Sequence, residues 1–381
     1  MTPRERILAT FRHQVPDRTP TDGWFHDEVV RRLKRHYGTE NWDDVLRELG
    51  IAGWGARGPE MVVPDFAAKA ETRTYQGMTR TGIWRDERTY ATALGVTHRI
   101  GDQGWYEEWV GGPLMDADGA DLKVLDDAPL PSIANIVEAP DYAAQVQALK
   151  ARGLFVSAGI PNPYKTAWEL RGMDNILADY LINRDFIEAL YDRLYAYYTD
   201  YALRAVRAGV DMITVTGDIA MQDRIIMGPD TWREVDKPRM AKFIAACRRM
   251  NPEVFLFIHS DGNVMDLMDD LVEIGFNVIN PIQPECMDPV EVKRRWGARM
   301  TIHGGVSLQR TLPNGTVAEV RAEIEHLIRT CGYNGGLVVF PSNVIQPDTP
   351  TENIIACYHA ARDFDVASLG GRPGQGIGQP N

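Results

Sequence analysis

A chain of 381 residues that is 44% hydrophobic and 25% charged is long enough to bury one large core or two ordinary ones, which excludes a disordered protein. Its formal charge of −12 argues against a nucleic-acid partner, because affinity for phosphates comes from clustered lysine and arginine that release counterions. No apolar run reaches the ~18 residues of a membrane span, the start MTPRERILATF has no apolar secretory core, and Cys247, Cys286, Cys331 and Cys357 form no CxxC pair, so a cytoplasmic protein with reduced thiols is expected.

In chain order, RTPTDGW (18–24) and LGIAGWG (49–55) read as the first two strands, on either side of a helix over Asp27 to Tyr37. The basic residues of that helix, Arg31, Arg32, Lys34 and Arg35, like Lys293, Arg294 and Arg295 later, fall on helical patterns as solvated faces. Residues 60–130 change period: polar and apolar or Thr-rich residues alternate there as in antiparallel hairpins, and Trp84, Trp105, Tyr106 and Trp109 supply aromatics. Those rings either wall a flat apolar substrate or form the small core of a hairpin.

From residue 150 onward, short apolar runs alternate with amphipathic helices, the rhythm of a parallel sheet. The runs are 154–160, 211–218, 254–261, 276–283, 299–305 and 336–342, each ending in or followed directly by Gly, Pro, Ser, Asn or Asp. Continuous apolar runs suit strands buried on both faces. Pro229-Asp230, Asp288-Pro289, Thr316 and Thr349-Pro350 open the intervening helices. With 18–24 and 49–55 the count reaches eight, so the expected fold is α/β: a single (β/α)8 TIM barrel over residues 1–365. Residues 60–130 are expected as an insertion over its mouth, and 366–381 as a flexible tail rich in Gly and Pro.

In such barrels the loops after the strands converge on one depression, so polar residues closing the strands are the site candidates. Read around the sheet these are Asp22, His26 and Asp27; Arg57 and Glu60; Asn162 and Tyr164; Asp218 and Gln222; His259 and Asp261; Gln283 and Glu285; His303; Ser342 and Asn343. The sharpest signal is His259-Ser260-Asp261, because the first and third residues of a strand share a side and can grip one metal ion or one substrate group. The structural alternative is that Asp261 caps the helix after Asn263 while His259 bonds a neighbouring carbonyl. Asp218 closes its strand with no lysine nearby in sequence, and is read as functional or as a turn carboxylate. His303, ahead of two glycines, is read as catalytic or as a satisfied core histidine. Glu285 beside Cys286 is a third candidate ligand, although adjacent strand residues face opposite ways.

Several long segments resemble the uroporphyrinogen decarboxylase superfamily: PRERILATFRHQVPDRTP, NPYKTAWELRGMDNILADYLINRDF, GDIAMQDRIIMGPDTWREVDKPRMAKFI, IHSDGNVMDLMDDLVEIGFNVINPIQPE, IHGGVSLQRTLPNGTVAEVRAEI and PSNVIQPDTPTENIIA. The resemblance runs in order through residues 1–365. It implies one of two chemistries, a cofactor-free decarboxylation of tetrapyrrole carboxylates or a zinc-dependent methyl transfer with corrinoid proteins. The decarboxylases carry an Arg-rich segment where this chain reads TDGWFHDEV, a pyrrole-gripping aspartate where it reads GWGARGPE, and a histidine at the position of Asn343. A substrate with many carboxylates needs cationic partners, so uroporphyrinogen is not the expected substrate.

The thiol-activating methyltransferases carry H-x-C and a later Cys, which map to His259, Asp261 and Asn343, so the histidine stays and both thiolates are replaced. The resemblance therefore implies a harder site, His259 and Asp261 completed by Asp218 or Glu285, for zinc, iron or manganese. It implies a one-carbon transfer or O-demethylation of a small aromatic or methoxylated substrate, with a corrinoid, on a partner protein, or tetrahydrofolate as acceptor. In that reading His259, Asp261, Asp218 and His303 are catalytic, and His26, Arg57, Tyr164, Trp105, Trp109, Gln283 and Asn343 bind substrate. A homodimer is expected from the family. The alternatives are a decarboxylase or lyase of a small acid, with Arg57 or Arg171 holding the carboxylate, and a barrel that binds a ligand without catalysis.

Overall fold

The computed structural model describes residues 1–104 and 106–370. Its centre is a curled parallel sheet of seven strands in sequence order: Trp54–Ala56, Phe155–Pro161, Met212–Thr216, Phe255–His259, Val278–Asn280, Thr301–Val306 and Leu337–Pro341. The last six are the six runs expected after residue 150, trimmed where their polar ends turn out of the sheet. Phe255–His259, Thr301–Val306 and Leu337–Pro341 are buried at every residue, because they are covered on both faces.

The two early strands differ from expectation. Residues 18–24 form no strand but one parallel bridge, Thr21 to Val339, flanked by the bonds from Val339 N to Pro20 O and from Asp22 N to Val339 O. Pro20 has no N–H to give a ladder, which limits the pairing here. The segment meets the other sheet edge through side chains: the Trp54 indole donates to Thr21 O, and Thr21 Oγ1 to Gly50 O. The strand expected at 49–55 starts only at Trp54. Gly50 is spent as the left-handed cap of helix Trp42–Leu49, and Gly53, at φ +102°, lets the chain pass Pro3.

The amino end of the sheet is sealed. Thr2 and Glu5 exchange side-chain and backbone bonds in a capping box that opens helix Pro3–Phe11. Its buried Ile7 and Phe11 pack on Phe155, Met212, Phe255, Phe257, Val278 and Val338. Phe11 meets the rings of Phe155 and Phe255 edge-on, with centroids 5.3 and 5.1 Å away. A larger apolar layer lies between the sheet and its outer helices, among them Arg184–Ala208, Pro229–Met250, Val317–Cys331 and Thr351–Asp363. No described helix is long and apolar enough to cross a membrane, and all four cysteines are free.

Residues 71–111 form an antiparallel sheet of five strands, as the alternating period predicts. It is tied to the chain after two sheet segments: His26 to Gly104 O, and Trp109 Nε1 to Glu169 O. At the other end of the chain Val366–Leu369 is a short 3-10 turn with Val366 buried, and the expected tail beyond residue 370 lies outside the described residues.

Two consequences can be measured. Truncating Phe11 to Ala removes the plug's main ring and should lower stability by about 3–5 kcal/mol, read as a drop in denaturant midpoint at unchanged slope. Asp236, in helix Pro229–Met250, is buried with Oδ2 lacking a hydrogen bond, and desolvation pushes its carboxyl up to about 7. A folded-state value above the unfolded one, about 3.9, means the folded state binds the extra proton, so this residue's contribution fades as pH rises from about 4 to about 7. Asp236→Asn should remove that slope and raise stability at pH 8; an unchanged pH profile of the thermal midpoint would refute it.

Candidate functional site

The loops after the third and fourth strands are zipped together by short bonds. Gly217 N donates to His259 O, Ile219 N to Ser260 Oγ, Asp261 N to Asp218 Oδ1 (2.8 Å), and Asn263 N to Met221 O. Gly262 permits this: its φ is +86°, and a Cβ there would stand 2.3 Å from the Met221 carbonyl oxygen. Asp218, His259 and Asp261 are thereby brought together, with one donor atom of each within 4.8 Å of the others. His259 Nε2 lies 3.6 Å from Asp218 Oδ1 and 4.0 Å from Asp261 Oδ1. Asp261 is not a helix cap. Asn263 caps the turn that follows, through Met265 N, while Asn343 Nδ2 donates to Asp261 Oδ2 and leaves Oδ1 buried without a partner. Burial first, and the charge of Asp218 second, push the Asp261 carboxyl up to about 6.

The protonation pattern of the two histidines follows from one amide. Asn280, next to His259 in the sheet, places Nδ2 2.8 Å from the backbone oxygen of His303, an atom that only accepts. That group is therefore the NH2, and its second hydrogen points to His303 Nδ1 at 2.8 Å, which must be unprotonated. His303 then carries its proton on Nε2 and donates to Asp22 Oδ2 at 3.2 Å. At the other end Asn280 Oδ1 accepts from His259 Nδ1 at 2.6 Å, so His259 turns its remaining nitrogen, Nε2, to the two carboxylates. Facing two carboxylate oxygens, that nitrogen either carries a proton, as an imidazolium, or shares a cation with them. Two oxygens and one imidazole nitrogen suit a divalent cation, and the unpaired Asp261 Oδ1 is the atom such an ion would satisfy.

Two cavities flank this cluster. One, of about 260 Å³, is lined by Met221, Gln222, Asp261, Gln283, Gln309 and Asn343 among others, largely neutral amides. The other, of about 320 Å³, lies inside the curled sheet between Asp22, Trp24, Trp54, Thr214, Phe257 and His303. Trp24 also packs on the His259 ring, with centroids 5.5 Å apart.

Of the residues proposed from sequence, Asp218, His259, Asp261, Gln283 and Asn343 line or build the cluster and its amide-lined side, and His303 lies in the inner cavity. The others are employed elsewhere. Glu285 is outside the cluster, accepting from Ser307 Oγ and facing Arg310. His26 caps helix Asp27–Tyr37 through Nδ1, which accepts from Glu28 N, and its Nε2 meets the Gly104 carbonyl. Tyr164 is wholly buried, its hydroxyl on the Met173 sulfur. Arg57, one residue beyond the strand, is near Glu60 and lines neither cavity. Trp109 fastens the antiparallel sheet to helix Pro163–Arg171 and packs on Trp168. Asn162 caps that same helix. Arg171 is consumed by Asp179 and the carbonyls of Leu114 and Ala117. Trp105 lies outside the described residues. Sequence reasoning missed Asn280 and the aromatic wall Trp24, Trp54 and Phe257. A polar residue inside the apolar run FNVINPIQ was the available signal for Asn280.

The family model described as "Uroporphyrinogen decarboxylase (URO-D)" matches residues 76–364. No curated protein matches the chain. Among solved structures, a methyltransferase from Methanosarcina mazei is similar over 96% of this chain and 99% of its own, at TM-score 0.63 and 19% identity. An L-ribulose 3-epimerase is similar over 68% of this chain and 94% of its own, at TM-score 0.40 and 13% identity. At such identity the first likeness concerns the fold.

Titration with Zn2+ or Mn2+ should load about one ion per chain, and His259→Ala or Asp261→Asn should abolish loading. Asn280→Ala, which frees the His259 ring, should weaken it by about 10–100-fold. Because the ion must displace the proton of Asp261, affinity should fall about tenfold per unit of pH below about 6. Calorimetry that finds no ion between pH 6 and 8 would exclude a metal centre here.

Proposed function

Because the chain belongs to the uroporphyrinogen decarboxylase family, we propose that it is a methyltransferase-type member, moving a methyl group from the oxygen of a small aromatic ether to a corrinoid on a partner protein or to tetrahydrofolate. The reading is carried by one observation, the convergence of His259 Nε2 with the carboxylates of Asp218 and Asp261, which is built to hold a cation. A divalent ion held there supplies Lewis acidity to a departing oxygen. The C–O bond breaks, the acceptor takes the methyl group, and the oxygen keeps the bonding pair and gains a proton. Asp218 suits the role of proton carrier, because its side chain is half exposed while Asp261 is largely covered. Asn343 and Asn280 orient Asp261 and His259, and Gln283, whose Oε1 accepts from Gly262 N, steadies the loop between them.

The competing decarboxylase reading gives the substrate carboxylate to Arg57 or Arg171. Arg171 is consumed in the structure and Arg57 lines neither cavity, so neither arginine supports it. A barrel that only binds a ligand would not need two carboxylates gathered at one imidazole nitrogen. We further read the fold as a (β/α)8 barrel over residues 1–365, with residues 20–22 in the eighth place and residues 60–130 as a lid. The protein is proposed to be a cytoplasmic homodimer.

Mixed with reduced cob(I)alamin and a panel of methoxyarenes, the metal-loaded protein should form methylcobalamin, visible in the absorption spectrum. Asp218→Asn should lower the rate by about 100-fold or more. Release of carbon dioxide from aromatic acids, with no methyl transfer from any ether, would overturn the proposal.

A further inference from the structure

We propose that the cavity inside the curled sheet is the substrate pocket, and that it selects an uncharged methoxylated phenol against carboxylated rings of similar shape. The inference rests on the methyl-transfer reading above and adds the location and charge of the substrate.

Three observations carry it. The walls are flat and apolar where Trp24, Trp54 and Phe257 face the cavity, which suits an aromatic ring. The plug of Ile7 and Phe11 closes the cavity's amino end, so the open end along the sheet axis is the carboxyl end. There Thr216, which lines the cavity, is the register partner of His259, and Trp24 touches the His259 ring. A ring lying between the tryptophans therefore directs a substituent toward the cluster.

Charge decides the class of ring. Asp22 is the carboxylate of the cavity, and none of its lining residues is lysine or arginine. His303 offers no compensating positive charge, because its Nδ1 is occupied by the Asn280 amide hydrogen and its Nε2 proton is given to Asp22. Arg47 and Arg152 border a separate cleft of about 510 Å³, which shares Asp22 and Trp54 with the cavity, but they do not line the cavity itself. A substrate carboxylate would meet a like charge in a covered site. A phenol hydroxyl meets an acceptor instead: the oxygens of Asp22 take one bond each from Gly23 N and His303 Nε2, and each retains a further lone pair. A methylated ammonium also suits an aromatic wall and a carboxylate, which makes it the competing class of ligand.

The experiment compares three probes by calorimetry and tryptophan fluorescence on the full-length protein, with and without EDTA: 2-methoxyphenol, 4-hydroxy-3-methoxybenzoate and tetramethylammonium. Saturable binding of 2-methoxyphenol is expected, persisting without metal, with the benzoate weaker by about 30-fold or more. Asp22→Asn should shrink that ratio to about threefold or less by strengthening the benzoate. Trp24→Leu, which leaves the charge alone, should weaken 2-methoxyphenol by about tenfold at an unchanged ratio. The wild-type comparison stands even if a variant does not fold. Equal binding of phenol and benzoate, no saturable phenol binding, or tighter binding of tetramethylammonium overturns the inference. Selective phenol binding without methyl transfer upholds this pocket and removes the methyl-transfer reading alone.

Discussion

The Asn280 side chain bridges two histidines, and its orientation is fixed by an atom with no freedom of its own, the backbone oxygen of His303. A carbonyl can only accept, so the amide nitrogen must face it, and the amide oxygen must then face His259. From that single constraint follow a proton on His259 Nδ1 and a bare Nδ1 on His303, and with them the identity of the nitrogen that His259 turns to the carboxylates. Three adjacent strands supply His259, Asn280 and His303, and the segment at Asp22 supplies the final acceptor. A shift of one residue in any of these strands would turn its side chain to the outer layer and break the chain of bonds.

The interior of the sheet is graded in polarity from bottom to top. At the amino end Phe155, Met212 and Phe255 meet the apolar face of the first helix. Higher up stand Ser157, Thr214, Thr216, Asn280, His303 and Asp22, where a parallel barrel usually carries branched aliphatic residues. Polar groups in a covered position are costly unless bonded, and here most of their bonds are made to one another or to neighbouring strand carbonyls. A sealed floor and a polar upper half leave an apolar-walled space with hydrogen-bonding groups toward its mouth. That arrangement suits the pocket proposed above, since a purely structural core gains more from filling the volume.

Much of this was legible in the chain itself. Runs such as VFLFIHSD and RMTIHGG are strands because their continuous apolar character fits a sheet covered on both sides, whereas the strand ends at His259, and the Gly262 turn, not the strand period, brings Asp261 beside it. Asp218 was found by position alone, as the acid closing the preceding strand. What escaped depends on pairing between distant segments. The sequence PTDGW looks like a strand, yet Pro20 and the two-residue reach of its pairing reduce it to a bridge. His26 and Tyr164 follow strand segments as a site residue should, yet one caps a helix and the other is core, because the first turn of a following helix takes its own side chains. Glu285 has the chemistry of a ligand, but Ser307 and Arg310 lie closer than the cluster does. Trp24 and Trp54 carry no local pattern, since an aromatic in a strand reads the same whether it fills a core or walls a cavity.

The replacement of sulfur ligands by oxygen bears on what the site can do. The resemblance to thiol-activating methyltransferases aligns two cysteines with Asp261 and Asn343, and the structure gives these positions different duties. Asp261 turns one oxygen to the cluster, while Asn343 donates to the other oxygen and so determines which one remains free. Two thiolates would donate more electron density to an ion than one carboxylate and an amide held back from it, so an ion in the present set keeps more of its acidity. Carboxylate ligands also suit harder ions, which favour oxygen partners. An ether oxygen is a poor leaving group that needs such an acid, whereas a thiol needs only to lose its proton. The proposed ligand set and the aromatic-walled cavity that carries the Asp22 carboxylate therefore favour the same class of substrate, one whose reacting atom is oxygen and whose ring carries no negative charge.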